Sequence, residues 1–210
     1  MKWNDKRYHT LDYEMKHTFG QKIIKLSLDG GFTCPNRDGQ ISDKGCIFCS
    51  ELGAGEFAGR RNLNITEQIA QQKIMLSKKW PSGKYIAYFQ NFTNTYAPVD
   101  KLQELYLEAL SATDIVGLAI ATRADCLPPK VIDLLGKIGE NNYLWVELGL
   151  QTIHKRSANF IRRGYDLECF IDAVDRLKEK NIKVVVHLIF GLPGESVDDM
   201  LETVRFIGNL

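Results

Sequence analysis

No apolar run in this chain approaches the roughly 20 residues that a helix needs to cross a bilayer. The N-terminus, MKWNDKRYHTLDYEMKH, is polar and aromatic and lacks a signal-peptide core. Charge of one sign is also lacking. Lys and Arg number 27, Asp and Glu 26, and the net charge is +1. No global basic field announces nucleic acid, although a local patch is compatible with this balance. Disulfide arithmetic fails as well, because five cysteines is an odd number and three of them are clustered. That pattern suits a reducing compartment and a metal site better than a disulfide framework. The expectation is a soluble, cytoplasmic protein with no membrane partner. Core material is not short. A chain of 210 residues, 44% hydrophobic and 25% charged, fits one large domain or a small pair.

What is present begins with Cys34, Cys46 and Cys49. They lie in one Gly-rich loop, GGFTCPNRDGQISDKGCIFCS, directly after an apolar segment. Three thiolates from one loop can hold a metal centre. On a four-iron cluster, which ordinarily takes four thiolates, they leave one position free. A free position separates a catalytic metal site from a structural one.

Apolar runs alternate with amphipathic stretches along the rest of the chain. Strands are expected at 22–28, 84–90, 115–122, 143–150 and 182–190, and helices at about 65–79, 99–111, 128–139, 166–180 and 196–208. Asn64 with Glu67 has capping-box spacing, and Ser196 with Asp199 marks the start of the last helix. Near-continuously apolar strands separated by helices are the mark of a parallel sheet covered by helices. Five such units imply an α/β barrel or open sheet, with the site at the C-terminal strand ends. The loops there are GGFTCPN, QNFTNTY, TRADCLPP, QTIHKRS and GLPGES.

Side-chain alternation sharpens the picture. Trp145, Glu147, Gly149 and Gln151 share one face of the fourth strand, and His187 lies on a comparable face of the fifth between Val185 and Ile189. The opposite faces are wholly apolar. Buried polar groups need partners, so Glu147, Gln151 and His187 line either a ligand cavity or a satisfied structural network. The cavity is the favoured reading.

These residues resemble the radical S-adenosylmethionine (SAM) superfamily. Its usual spacing is Cys-x3-Cys-x2-Cys; here it is Cys-x11-Cys-x2-Cys. The long first gap resembles the branch containing the catalytic subunit of elongator. YFQNFTNTYAP is similar to a segment of oxygen-independent coproporphyrinogen oxidases, with Gln90, Asn91 and Phe92 standing where that family has glycines. IATRAD resembles an elongator segment, with Ala121 in place of a ribose-binding Glu. ELGLQT, IRRGYD and VHLIFGLPGES also match, and overall the chain is most similar to the YtqA/YhcC-type bacterial subgroup.

The resemblance implies a partial TIM-type barrel of about five βα units, with the cluster loop after the first strand. Residues 1–20 would be an N-terminal extension packing on the barrel. Residues 21–210 would be the core domain, shorter than the six units usual in the family. It further implies a [4Fe–4S] cluster on Cys34, Cys46 and Cys49, and a SAM pocket drawing on Phe48, Gln90, Asn91, Gln151, Arg163 and His187. The implied partners are an external electron donor such as flavodoxin or ferredoxin and, by analogy with elongator, tRNA modified at a wobble uridine. A small metabolite as substrate, or a non-catalytic iron–sulfur or zinc module, are the alternatives. No residue is assigned to catalysis beyond the cofactors.

Other candidates have plainer readings. Cys126 and Cys169 read as ordinary apolar positions. Arg60, Arg61, Lys155, Arg156 and Arg162 read as a solvated face, and Trp3, Tyr8 and Tyr13 as a cap on the barrel bottom.

Overall fold

The computed structural model describes Trp3, residues 5–51, Gly53 and residues 57–210. The elements are α1 (Leu11–Phe19), β1 (Ile23–Leu28), α2 (Ile65–Ser77), β2 (Lys84–Phe89), α3 (Val99–Ser111), β3 (Ile115–Thr122), α4 (Pro129–Gly139), β4 (Tyr143–Gln151), α5 (Lys155–Phe160), α6 (Leu167–Glu179), β5 (Lys183–Leu188) and α7 (Val197–Gly208). A single 3-10 turn, Ala124–Cys126, follows β3. Local chemistry sets most helix starts. Asn64 accepts from the Glu67 amide while the Glu67 side chain returns to the Asn64 amide. Ser196 and Asp199 form the same reciprocal box ahead of α7, and the Asp166 side chain accepts from the Cys169 amide at the start of α6. Each box satisfies amides that a helix N-terminus otherwise leaves without partners.

The five strands form one sheet in the order β1-β2-β3-β4-β5, and every neighbouring pair is parallel. Each strand lies beside the one before it, with a helix in every connection. Right-handed crossovers then keep the helices on one side and curl the sheet into a partial TIM barrel. On the outer face Leu26, Phe89, Ile120, Val146 and Leu148 pack with Ile69, Tyr106, Leu135 and Phe170 of the helices, all buried. Val184, Val186 and Leu188 of β5 join them. The inner face holds a smaller cluster of Met15, Ile23, Ile86, Tyr88, Ala119 and Trp145.

Met15 belongs to α1, which therefore closes the inner face from below. This corrects the expectation for the N-terminal aromatics. Met15 and Phe19, four residues apart, make the contact, whereas Tyr8 is 63% exposed. Tyr13 and His17 fall at the same four-residue spacing on another helix face, and His9 lies just ahead of the N-cap Thr10. There they form a ring ladder with Trp3, whose ring stacks on His9 at 5.4 Å. β5 stops at Leu188 rather than residue 190, and Phe190 is exposed. Short α5 is the other element that the apolar pattern does not announce.

Candidate active site

The loop after β1 is folded by its own backbone. Cys34 O accepts from the Arg37 and Asp38 amides at 2.8 and 3.1 Å. The eleven residues between Cys34 and Cys46 then double back, with Ile41 N donating to Pro35 O at 2.8 Å and Gly45 N to Asn36 O at 2.7 Å. Gly45 has φ +69°, and a Cβ there would meet Arg37 Nε at 2.9 Å. The backbone there favours glycine, and a side chain would also displace the Arg37 guanidinium. Cys49 N donates to Cys46 O at 3.1 Å, closing the second turn. Arg37 Nη2 ties the two arms by donating to Cys49 O at 3.0 Å and Ser50 O at 2.6 Å. Asn36 Nδ2 anchors the loop to the barrel through Arg162 O at 2.6 Å and approaches Cys46 Sγ at 3.2 Å.

All three thiols are free and partly buried, and all line one cleft of about 280 Å³. The Cys49 thiol hydrogen-bonds to Cys46. Together with Asn36, Arg123 and Arg37 it outweighs burial and brings Cys46 down to about 6. Cys49, which keeps the shared proton, is pushed up. A thiolate, the metal-ligating form, is thus available at neutral pH.

Of the expected pocket residues, Phe48, Gln90, Gln151, Arg163 and His187 line this same cleft. Gln151 ends β4 with φ +63°, an uncommon conformation for a side-chain-bearing residue. Thr152 N donates across it to Leu150 O at 2.8 Å, and the β4–β5 register shifts at the same point. In the amide orientation that satisfies both ends, the Gln151 nitrogen donates to Gly149 O at 2.9 Å and Leu150 O at 3.2 Å. A Cβ at Gly149 would lie 2.5 Å from that side chain. Arg163 is 2% exposed. Its Nη1 donates to Leu150 O and Thr152 O at 2.8 and 2.7 Å, and its Nε to Tyr165 O at 3.0 Å. Those bonds lock the Gln151 turn and direct much of the guanidinium to protein backbone.

Asn91 is the exception. It is buried, donates Nδ2 to Asp29 Oδ2 at 2.8 Å, and is absent from the cleft lining. The reason is backbone direction. Phe92 takes φ +60°, a conformation natural to glycine. The turn faces Gln90, Phe92 and Thr93 to the cleft and Asn91 away from it. Arg37 and Arg61 lie over the Phe92 ring at 5.8 and 5.2 Å, so Arg61 is not merely solvated: it also pairs with Asp29 at 3.4 Å. The GLPGES turn has φ +80° and +83° at Gly191 and Gly194, but neither lines the cleft. It packs instead on the 152–156 segment, where Thr152 Oγ1 donates to Glu195 Oε1 at 2.6 Å.

Sequence reasoning passed over three contributors. Arg123 lines the cleft, holds Asp125 with two bonds at 2.9 and 2.8 Å, and donates to Arg163 O at 2.8 Å. Arg37 and Lys25 are the other two. On the inner face Glu147, 4% exposed, receives Lys25 Nζ at 2.5 Å, Trp145 Nε1 at 2.7 Å and His187 Nε2 at 2.8 Å. Burial raises its pKa, but the His187 bond and the Lys25 ion pair outweigh that and hold it at about 2. Burial holds the Lys25 ammonium below its ordinary value despite the pair. The one advance signal for Lys25 was its place as a charged residue inside the mostly apolar first strand.

The residues fit an iron–sulfur centre with a polar organic ligand. Three soft thiol donors face one space, and Thr93 Oγ1, 1% exposed on the cleft wall, has no hydrogen-bond partner among the described atoms.

A parallel partial barrel with a three-cysteine loop after its first strand defines a class, and residues 34–207 match the radical SAM superfamily. The chain belongs to that superfamily, whose members bind a [4Fe–4S] cluster and SAM. It is 50% identical over 206 residues to the uncharacterised protein YtqA of Bacillus subtilis, covering 98% of this chain and 64% of that one. It is 41% identical over 193 residues to YhcC of Escherichia coli K12, covering 91% and 61%. The chain thus spans less than two thirds of these relatives. Among solved structures, Elp3 of Methanocaldococcus infernus superposes with TM-score 0.61 at 22% identity, covering 88% of this chain and 42% of that one. That likeness concerns the fold. Among the described residues no helix is long and apolar enough to cross a membrane.

Proposed function

We propose that Cys34, Cys46 and Cys49 hold the cluster and that SAM occupies the cleft against Phe48, Gln90, Gln151 and His187. The observation that carries this reading is that three free thiols and these four side chains, from four separate segments, line one cleft. When bound, the reduced cluster and SAM supply one-electron cleavage of the SAM sulfonium to methionine and a 5′-deoxyadenosyl radical, which takes a hydrogen atom from substrate. The chain's part is positional. Arg37 and Asn36 set the thiols, Arg163 fixes the Gln151 turn, and Arg123 adds positive charge beside Cys46. Asn91 acts from behind the wall, through Asp29. An external donor such as flavodoxin or ferredoxin supplies the electron, in the reducing cytoplasm that five free cysteines suit.

The substrate reading is tRNA, modified at a wobble uridine. Its support is similarity to a protein named tRNA uridine(34) acetyltransferase in Methanocaldococcus jannaschii, 39% identical over 83 residues, 40% of this chain and 15% of that one. The near-neutral net charge favours the second reading, a small metabolite. Retention of bulk tRNA at moderate salt separates the two.

The experiment is anaerobic reconstitution with iron and sulfide, reduction with SAM, and chromatography for 5′-deoxyadenosine. A brown protein that forms it, with both properties lost in the triple Cys34/Cys46/Cys49→Ala variant, is the expected result. A colourless protein that retains zinc, or a cluster that never cleaves SAM, overturns the reading.

A further inference from the structure

The inner face of the sheet carries a second compartment of about 850 Å³ beside the cleft. Tyr88, Glu147 and His187 line both spaces and form their common wall. Lys25 lines only the second. Its Nζ donates to Glu147 Oε1 at 2.5 Å and sits 3.4 Å over the Tyr88 ring and 5.5 Å from the centre of Trp145. An ammonium has three N–H groups, and Glu147 is its one hydrogen-bond acceptor among the described residues.

Glu147 itself is engaged at both oxygens: Lys25 and Trp145 take Oε1 and His187 takes Oε2. The carboxylate therefore serves as a fixed anchor that holds a cation at the cavity surface. The remaining titratable groups on the wall are His9, Glu14, Tyr143 and Lys183. Glu14 is already paired, with His9 at 3.5 Å and Lys183 at 3.3 Å. Both carboxylates of the compartment are thus satisfied, while Lys25 and the half-exposed His187 ring keep hydrogen-bonding capacity. The pair opens into space between Tyr88, Tyr143 and Trp145.

We propose that the compartment is a ligand subsite for an oxyanion, a carboxylate or a phosphate carried on an apolar or aromatic body, with the oxyanion on Lys25 Nζ. The assignment of this ligand as the substrate of the adjoining cleft rests on the SAM reading above; the binding itself does not.

The test is equilibrium dialysis of the purified chain with benzoate, phenyl phosphate and benzylamine. Saturable binding of an anion with no comparable binding of benzylamine is expected; the tighter anion tells carboxylate from phosphate. Lys25→Met should weaken that anion at least tenfold. Because this variant leaves a buried carboxylate with one partner fewer, the double variant Lys25→Met/Glu147→Gln, which removes both charges, should show the same loss. The Cys34/Cys46/Cys49→Ala variant should bind the anion unchanged, so failure of the cluster reading remains distinguishable. Benzylamine binding as tightly as the anions, absence of anion binding at millimolar concentration, or anion binding unaltered in both Lys25 variants overturns the proposal.

Discussion

Gln151 shows how one residue carries both backbone strain and a place in the cleft. Its φ of +63° brings Cβ against its own carbonyl, a conformation worth about 1–2 kcal/mol less than right-handed backbone for side-chain-bearing residues. Glycine adopts it freely. Gln151→Gly should therefore be more stable than Gln151→Ala by about 1 kcal/mol in chemical denaturation, while both variants weaken SAM binding. Equal stability of the two would mean that the turn relaxes on substitution.

Glu147 makes a second prediction at this scale. Its pKa is about 2 in the fold against an ordinary value of 4.5. A depressed carboxylate contributes stability that is fully present above its unfolded pKa and is lost as pH falls towards the folded value. The window is therefore pH 4.5 down to 2. The shift corresponds to roughly 3 kcal/mol over the whole window, and Lys25, protonated in both folded and unfolded chains at these pH values, does not change it. Wild type should lose about 1–2 kcal/mol more than Glu147→Gln between pH 6 and pH 3 in denaturant titrations. Parallel losses in the two proteins would show that the Lys25 and His187 bonds do not bias its protonation.

Among the elements, the capping boxes were visible in advance because their chemistry is local. Asn64 and Glu67, or Ser196 and Asp199, lie three residues apart, and spacing alone brings them together. Ser196→Ala and Asn64→Ala should each lower stability by about 1 kcal/mol, measured by thermal melting, with no change in metal content. The five helices expected from residue 65 onward matched their spans to within two residues for the same reason, whereas α1 was not expected. Short α5 escaped notice because six residues carry too little periodicity. The N-terminal rings were misplaced because aromatic content does not say which helix face meets the sheet. Met15 and Phe19 do, and the ladder of His9, Tyr13 and His17 stays at the surface.

For the whole molecule, the cluster loop is the part whose folding should respond to metal. A ligand that binds only the native state raises its stability by mass action. Reconstitution with iron and sulfide should raise the melting temperature and protect residues 34–50 from amide exchange, and chelation should reverse both. The triple cysteine variant should show neither effect. Protection of the loop without iron would mean that Arg37 and Asn36 alone hold it closed.

The amino-acid sequence by itself determined the alternation of strands and helices, the apolar outer faces of β4 and β5, and the three thiols on one loop. Each depends on periodicity or spacing over fewer than about 15 residues. Only the tertiary structure decided which polar groups meet. Lys25 reaches Glu147 across 122 positions because parallel register places β1 and β4 on one curved inner face. The left-handed turn at Phe92 points Asn91 at Asp29 rather than into the cleft, and the packing of Glu195 on Thr152 takes the GLPGES turn off its wall. Such meetings are set by strand order and backbone direction, which act between segments that the local pattern treats as independent.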